Sequence, residues 1–270
     1  MASLDTGRSD GKTAGTPPSH RVALTTDIGE GFGVWRLADD DALLDLVTGA
    51  NIACGFHAGD PDIMRRTCAT AVATGVSIGA QVSYRDLAGF GRRFVDVTRE
   101  TLTNDLLYQI GALSAFATAA GGMVDYVRAH GALYNVAATH RDHAAAIVAA
   151  TRLFDQDLPL LCQVGTETWR QAEAAGVRTV AEAFVDRGYT ADGLLEPRSS
   201  PDAMLTDPEQ AAARAVAMVL EGRIESVDGR PVEIHADALL VHCDTPGAVA
   251  IARATRRALL DAGVELIPLR

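Results

Sequence analysis

Gly49-Ala50-Asn51-Ile52-Ala53-Cys54-Gly55-Phe56-His57-Ala58-Gly59-Asp60 is the stretch that decides the fold. It opens as a short apolar strand, turns through small residues, and presents an imidazole and a carboxylate just ahead of Pro61. Proline suits the first turn of a helix, because its φ is already helical and it has no N–H to satisfy. A strand that ends in His and Asp before a helix is how α/β enzymes bring reacting groups to the carboxyl edge of a sheet. The bland alternative is a βα turn in which Asp60 N-caps the helix and His57 is an ordinary loop residue.

The same strand–turn–helix order continues on both sides. Residues 22–27 form an apolar strand running into Asp27-Ile28-Gly29-Glu30-Gly31-Phe32-Gly33, where two carboxylates three apart can face one cleft. A helix is expected over 39–47, and after the opening stretch a second over 62–74, ended by Gly75. Strand 76–82 then leads into a loop, 83–93, that carries Gly89-Phe90-Gly91-Arg92-Arg93 and suits a carboxylate or phosphate. Leu102, Leu106, Ile110, Leu113 and Ala117 recur at helical spacing within 98–120 and mark a core face.

Strand 123–130 again ends in a histidine, His130, with Arg128 two residues earlier on the same face and Gly131-Ala132-Leu133-Tyr134-Asn135 following. Helices over 140–154 and 167–175 flank a strand at 158–163, and a sixth strand covers 177–181. From Glu182 to Arg198 the chain is read as a long charged and aromatic excursion containing Asp186 and Arg187. A helix over 207–221, a hairpin about Asp228-Gly229 and a strand ending in His242-Cys243-Asp244 follow. Helix 246–262 and a last strand at 264–267 close the barrel or its edge. Alternating strands and helices, with no linker or repeat, predict one α/β domain folded as a distorted (β/α) barrel over 21–270. Residues 1–20, rich in Gly, Ser, Thr and Asp, are expected to be a disordered leader.

The formal net charge of -11 and a pI near 5.0 argue against nucleic acid or an anionic membrane as the main partner. No apolar run approaches the length of a membrane span. The four cysteines form no CxxC pair, which suits a reducing cytoplasm. In a barrel, the strand ends converge on one mouth, which would bring Asp27, Glu30, His57, Asp60, His130, His242 and Asp244 together.

Read together, these turns resemble the LamB/YcsF family, the family of the 5-oxoprolinase A subunits. The similarity runs in order from the Asp27–Gly33 turn through the opening stretch, Gly89-Phe90-Gly91-Arg92-Arg93, Tyr108-Gln109, His130-Gly131-Ala132-Leu133-Tyr134-Asn135, Phe184, Asp186-Arg187, Tyr189 and Arg198 to His242 and Asp244. The resemblance implies a fold related to the glycoside hydrolase/deacetylase barrels. It also implies one component of an ATP-dependent 5-oxoprolinase, with subunits B and C as partners. Asp27, Glu30, His57, Asp60 and His130 are then the candidate catalytic groups. Asn51, Arg92, Arg128, Asn135, Arg187, Arg198, His242 and Asp244 are candidates for holding substrate or phosphate. The chain departs from the family pattern at Thr25, Gln81, Arg128 and Cys243.

Two other functions stay open at this point. One is a metal-dependent amidohydrolase or deacetylase, with Asp27, His57 and His130 holding a divalent ion. The other is a non-catalytic binding subunit that keeps the barrel. No Walker loop or dinucleotide fingerprint is present, so ATP is expected to be bound mainly by partner subunits.

Overall fold

In the computed structural model, residues 20–270 are described. The expected leader at 1–20 therefore lies, but for His20, outside the described residues. The elements in chain order are β1 (Arg21–Ile28), α1 (Asp40–Leu44), β2 (Gly49–Ala53), α2 (Pro61–Thr74), β3 (Ser77–Val82), α3 (Arg99–Ala119), β4 (Tyr126–Ala129), α4 (Gly131–Ala137) and α5 (Arg141–Phe154). They continue with β5 (Leu160–Cys162), α6 (Glu167–Ala174), β6 (Thr179–Phe184), α7 (Pro208–Leu220), β7 (Arg223–Glu225), β8 (Pro231–Glu233), β9 (Ala238–Val241), α8 (Ala248–Asp261) and β10 (Glu265–Leu266).

Seven parallel strands, β1-β2-β3-β4-β5-β6-β9, form a closed ring, because β9 pairs with both β6 and β1. Closure leaves no edge with unpaired backbone groups in that ring. The last strand, β10, lies outside the ring on the N-terminal end of β1, pairing Arg21 with Glu265 and Val22 with Leu266. It is thus an edge addition, and the ring closes through β9. The strands are buried almost throughout, which explains why they read as continuous apolar runs rather than alternating ones.

Alternation still governs what points inward. At the N-terminal end of the barrel, Ala23, Tyr126, Leu161, Val180, Ala238 and Leu269 form a compact apolar plug. The Tyr126 ring crosses the barrel so closely that a Cβ on Gly79 would lie 2.0 Å from it, so this inward strand position has room only for glycine. One inward step toward the mouth, the apolar layer gives way to polar residues.

Two local differences from the sequence reading matter for the site. The strand expected to end at Ala181 continues to Phe184, so Glu182 and Phe184 belong to β6 and not to the following excursion. Glu182 is tolerated inside a buried strand because Arg128 on β4 meets it across the barrel, a pairing that one segment's apolar pattern cannot reveal. The second difference is α4, a seven-residue helix that starts directly after His130. It turns Tyr134 and Asn135 back over the mouth. Beyond β6, the excursion is held by Arg187, which donates to the carbonyls of Ala203 and Glu196.

Candidate active site

The inward side chains above the plug form a buried network. Arg128 donates from Nη1 to Asp27 at 3.1 Å and from Nε to Glu182 at 3.0 Å. Asn51 donates to Asp27 at 3.1 Å and accepts from the Tyr126 hydroxyl at 2.8 Å. The Arg128 guanidinium also lies 5.1 Å from the Tyr134 ring centre and 5.6 Å from that of Phe184. One buried cation is thus shared between two carboxylates and two aromatic faces, each compensating part of its lost hydration. Burial still raises the Glu182 carboxyl above its ordinary range, even though Arg128 pulls it down.

Next to this network is a second cluster. Glu30, His57 and His130 place their ligating atoms within 4.8 Å of one another, and all three are buried. The carboxylate beside the two imidazoles is therefore Glu30, not the Asp27 of the expected Asp-His-His set. The reason is local: Asp27 ends its strand pointing at Arg128, and Gly29, at φ 68, redirects the chain before Glu30. Glu30 Oε1 is 3.2 Å from His130 Nδ1 and 3.6 Å from His57 Nε2, and Oε2 accepts from the Cys243 thiol at 3.0 Å. Burial alone would raise Glu30, but the two imidazoles outweigh it and hold the carboxyl well below the usual range. Burial, and then the neighbouring His130, push His57 down to about 4.

The two histidine rings stack with centres 4.0 Å apart. Gln81 bridges them, 3.1 Å from His57 Nε2 and 3.1 Å from His130 Nδ1. The outer nitrogen of His130 donates to the Phe90 carbonyl at 2.9 Å. Gly91 fixes this loop against the rings: at φ 64, a Cβ there would lie 2.8 Å from His57 Cβ and 2.9 Å from His130 Cδ2. Behind the loop, Gln109 of α3 grips the backbone of Ser83, accepting from its N–H and donating to its carbonyl.

By residue type, two imidazoles and a carboxylate would suit a divalent metal. The arrangement does not. The ring nitrogens nearest Glu30, His57 Nε2 and His130 Nδ1, are the two that Gln81 already engages. A metal could enter only by displacing that amide.

His130 also lines a cleft at the barrel mouth, together with Asp27, Arg128, Asn135, Phe184, His242 and three arginines, Arg92, Arg187 and Arg198. Arg92 pairs with Asp244 at 2.6 Å, and Arg198 reaches the same oxygen at 3.4 Å. Arg187 is buried and bonds only to the backbone carbonyls of Ala203 and Glu196, with no carboxylate partner among the described residues. Burial, then the nearby Arg198, lowers its guanidinium to about 10. Three guanidiniums facing one carboxylate leave the cleft positive, although the chain as a whole is acidic. His242 donates from Nδ1 to Asp186 at 2.9 Å, and Thr245 also bonds this carboxylate. That partnership fixes the tautomer that leaves Nε2 with a lone pair.

Not every predicted position is at the mouth. Asp60 caps α2, accepting from the N–H groups of Asp62 and Ile63, and reaches across to Gly33 N–H at 2.7 Å. Asn51 supports Asp27 from inside the barrel. The sequence reading gave no site role to Glu182, Gln81 or the Phe90 carbonyl. Gln81 had one available signal, since it stands at a strand end in register with Ala53 and Arg128 on the neighbouring strands.

A family model described as the LamB/YcsF family matches residues 22–270. The chain is 55% identical to the 5-oxoprolinase A subunit of Mycolicibacterium gilvum, over 91% of this chain and 97% of that protein. It is 52% identical to the protein of the same name from Kocuria rhizophila, over 90% and 96%. The solved structure of the lactam utilization protein from Thermus thermophilus superposes with a TM-score of 0.87 at 46% identity, covering 92% of this chain and 99% of that one. Matching sequence along nearly the whole barrel and matching strand topology lead to one assignment: the chain belongs to the LamB/YcsF family.

Proposed function

We propose that this chain is the lactam-opening subunit of an ATP-dependent 5-oxoprolinase, which hydrolyses 5-oxo-L-proline to L-glutamate as ATP is cleaved to ADP and phosphate. The observation that carries the reading is the cleft itself: a buried arginine with no carboxylate salt bridge among the described residues, Arg187, lining the same cleft as Arg92, Arg198 and His130. 5-Oxoproline brings one carboxylate and one unreactive lactam carbonyl. Phosphorylation of the lactam oxygen would turn it into a leaving group, and each of these anions suits a guanidinium. His130 lines the cleft with the Glu30 carboxylate 3.2 Å from its Nδ1, and in this reading it takes a proton from water once Nδ1 releases the Gln81 amide. His242, oriented by Asp186, is placed to handle the proton at the ring nitrogen as the lactam opens. His57 lies behind His130 and acts through Gln81.

The sequence contains no G-x-x-x-x-G-K-S/T pattern, so the nucleotide is bound mainly by partner subunits, B and C in this reading. All four cysteines are free, and no helix among the described residues is long and apolar enough to cross a membrane. The reading therefore takes the cytoplasm as the working compartment. The test is reconstitution with B and C subunits, following ADP and glutamate. Activity dependent on 5-oxoproline is expected from the mixture and not from this chain alone. His130→Ala should fold normally and lose turnover. A mixture that is active with the corresponding chain of a relative but inactive with this one would overturn the proposal.

A further inference from the structure

Gln81 closes the C-terminal end of β3 between two stacked imidazoles, and its amide reaches both. The hydrogen-bond pattern can be worked out from one end. His130 Nε2 faces the Phe90 carbonyl at 2.9 Å, and a carbonyl only accepts, so that nitrogen carries a proton. In the neutral ring, with its one N–H at Nε2, His130 Nδ1 offers a lone pair and the Gln81 amide turns its NH2 toward it. The amide oxygen then faces His57 Nε2, which must in turn be the protonated nitrogen. His57 Nδ1 is left as a buried lone pair, and it has no hydrogen-bond partner.

The origin of this relay is itself held in place. Phe90 is the one non-glycine residue among the described residues with positive φ, at 55°. An aromatic residue in the left-handed region is strained and persists only where its surroundings hold it. Here hydrogen bonds from Phe90 N–H to Leu87 and from Gly91 N–H to Asp86 hold the turn on both sides of the carbonyl.

We infer that Gln81 is a positioning residue that locks His57 and His130 as Nε2–H tautomers and makes the Glu30–His57–His130 cluster a proton-holding centre instead of a metal site. The inference rests on the reading of His130 as a reacting group, but its physical content does not depend on turnover. The lone pair of His130 Nδ1 points at the Gln81 amide, and the Nε2 position of His57 is occupied by a proton. Glu30 Oε1, buried without a hydrogen-bond partner, supplies the negative charge that balances a proton arriving at His130. A proton arriving at Nδ1 displaces the amide NH2 from that nitrogen and is balanced by Glu30 Oε1, 3.2 Å away, while His57 keeps its Nε2–H on the Gln81 oxygen.

The experiment uses full-length protein with 15N-labelled histidine, and long-range 1H–15N correlation spectra at pH 7.5, with His57→Ala and His130→Ala to assign the rings. Both rings should show the neutral Nε2–H pattern. In Gln81→Leu, His57 should lose that pattern, and Zn2+ alone, titrated in, should bind with one equivalent at least 10-fold more tightly than to the unaltered protein. Gln81→Glu serves if the leucine variant fails to fold: a carboxylate cannot donate to His130 Nδ1, so His130 should show the doubly protonated pattern. Unchanged tautomers in whichever variant folds would overturn the inference. So would tight one-to-one Zn2+ binding by the unaltered protein that Gln81→Leu leaves unchanged. Full turnover in His130→Ala, with the tautomers as expected, would remove the proposed role of His130 and leave the tautomer lock standing.

Discussion

Arg128→Met is the most informative single change to the barrel interior. It keeps most of the side-chain volume and removes the charge that Asp27 and Glu182 share at 3.1 and 3.0 Å. Both carboxylates are buried; without Arg128, Asp27 keeps the neutral Asn51 amide and Glu182 keeps no hydrogen-bond donor among the described residues. Breaking a buried ion pair from one side costs about 3–5 kcal/mol, because the charge left behind is uncompensated. For a chain of this length, about 2–4 °C of melting temperature is lost per kcal/mol, so Tm should fall by about 6–20 °C. The loss should also depend on pH. Without Arg128, burial raises the Glu182 carboxyl further above the unfolded range. A raised carboxyl contributes stability that is complete below the unfolded pKa and disappears as pH rises through the folded one. The variant should therefore be closest to the parent near pH 4 and fall away from it toward neutrality. Adding Glu182→Gln should recover part of the loss. Thermal unfolding followed by circular dichroism at pH 4, 5.5 and 7 measures all of this. A loss below about 1 kcal/mol, or one that does not change with pH, would refute the account of Arg128 as a shared buried counter-ion.

Other expectations follow from the same geometry. His57 is held neutral, with its pKa pushed down to about 4, so it contributes stability above its unfolded value near 6.5 that is lost as pH falls toward 4. That contribution is about 3 kcal/mol, and His57→Ala should flatten the stability profile between those limits in urea titrations. Arg187→Met should raise KM for 5-oxoproline in the reconstituted assay about 10-fold or more, since a charge-assisted contact contributes roughly 1.5–3 kcal/mol. An unchanged KM would exclude Arg187 from binding. Gly91→Ala should lose activity more than stability, because the added methyl meets Ser83 Oγ, His57 Cβ and the His130 ring at a position where φ is 64°. Near-parental turnover in that variant would mean the loop does not fix the rings.

How much of this was legible beforehand depends on where each interaction lies along the chain. The opening stretch from Gly49 to Asp60 was readable because its signals are local. Apolar residues mark the strand, small residues the turn, and Asp60-Pro61 the helix start, and in the structure Asp60 does cap α2. The ring of parallel strands followed from repeated strand–helix alternation, and the helical spacing in α3 pointed to its buried face. Family membership rested on short turns whose order along the sequence is itself the signal.

Only tertiary structure could decide which residues meet. Asp27 and Glu30 stand three apart in one turn, and no spacing rule says which faces the histidines. Strand direction and the positive φ of Gly29 send Asp27 to Arg128 and Glu30 to His57 and His130. Glu182 looked like the start of a loop because its charge broke an apolar run, and its partner lies 54 residues away. Gln81 stood out in the sequence only as a departure from the family pattern, whereas in the fold its amide bridges His57 and His130. The reason is the same in each case. Backbone pattern is set by near neighbours, but the electrostatics of a buried site are set by strand register, which brings together residues from β1, β2, β3, β4 and β6 and the turns that follow them.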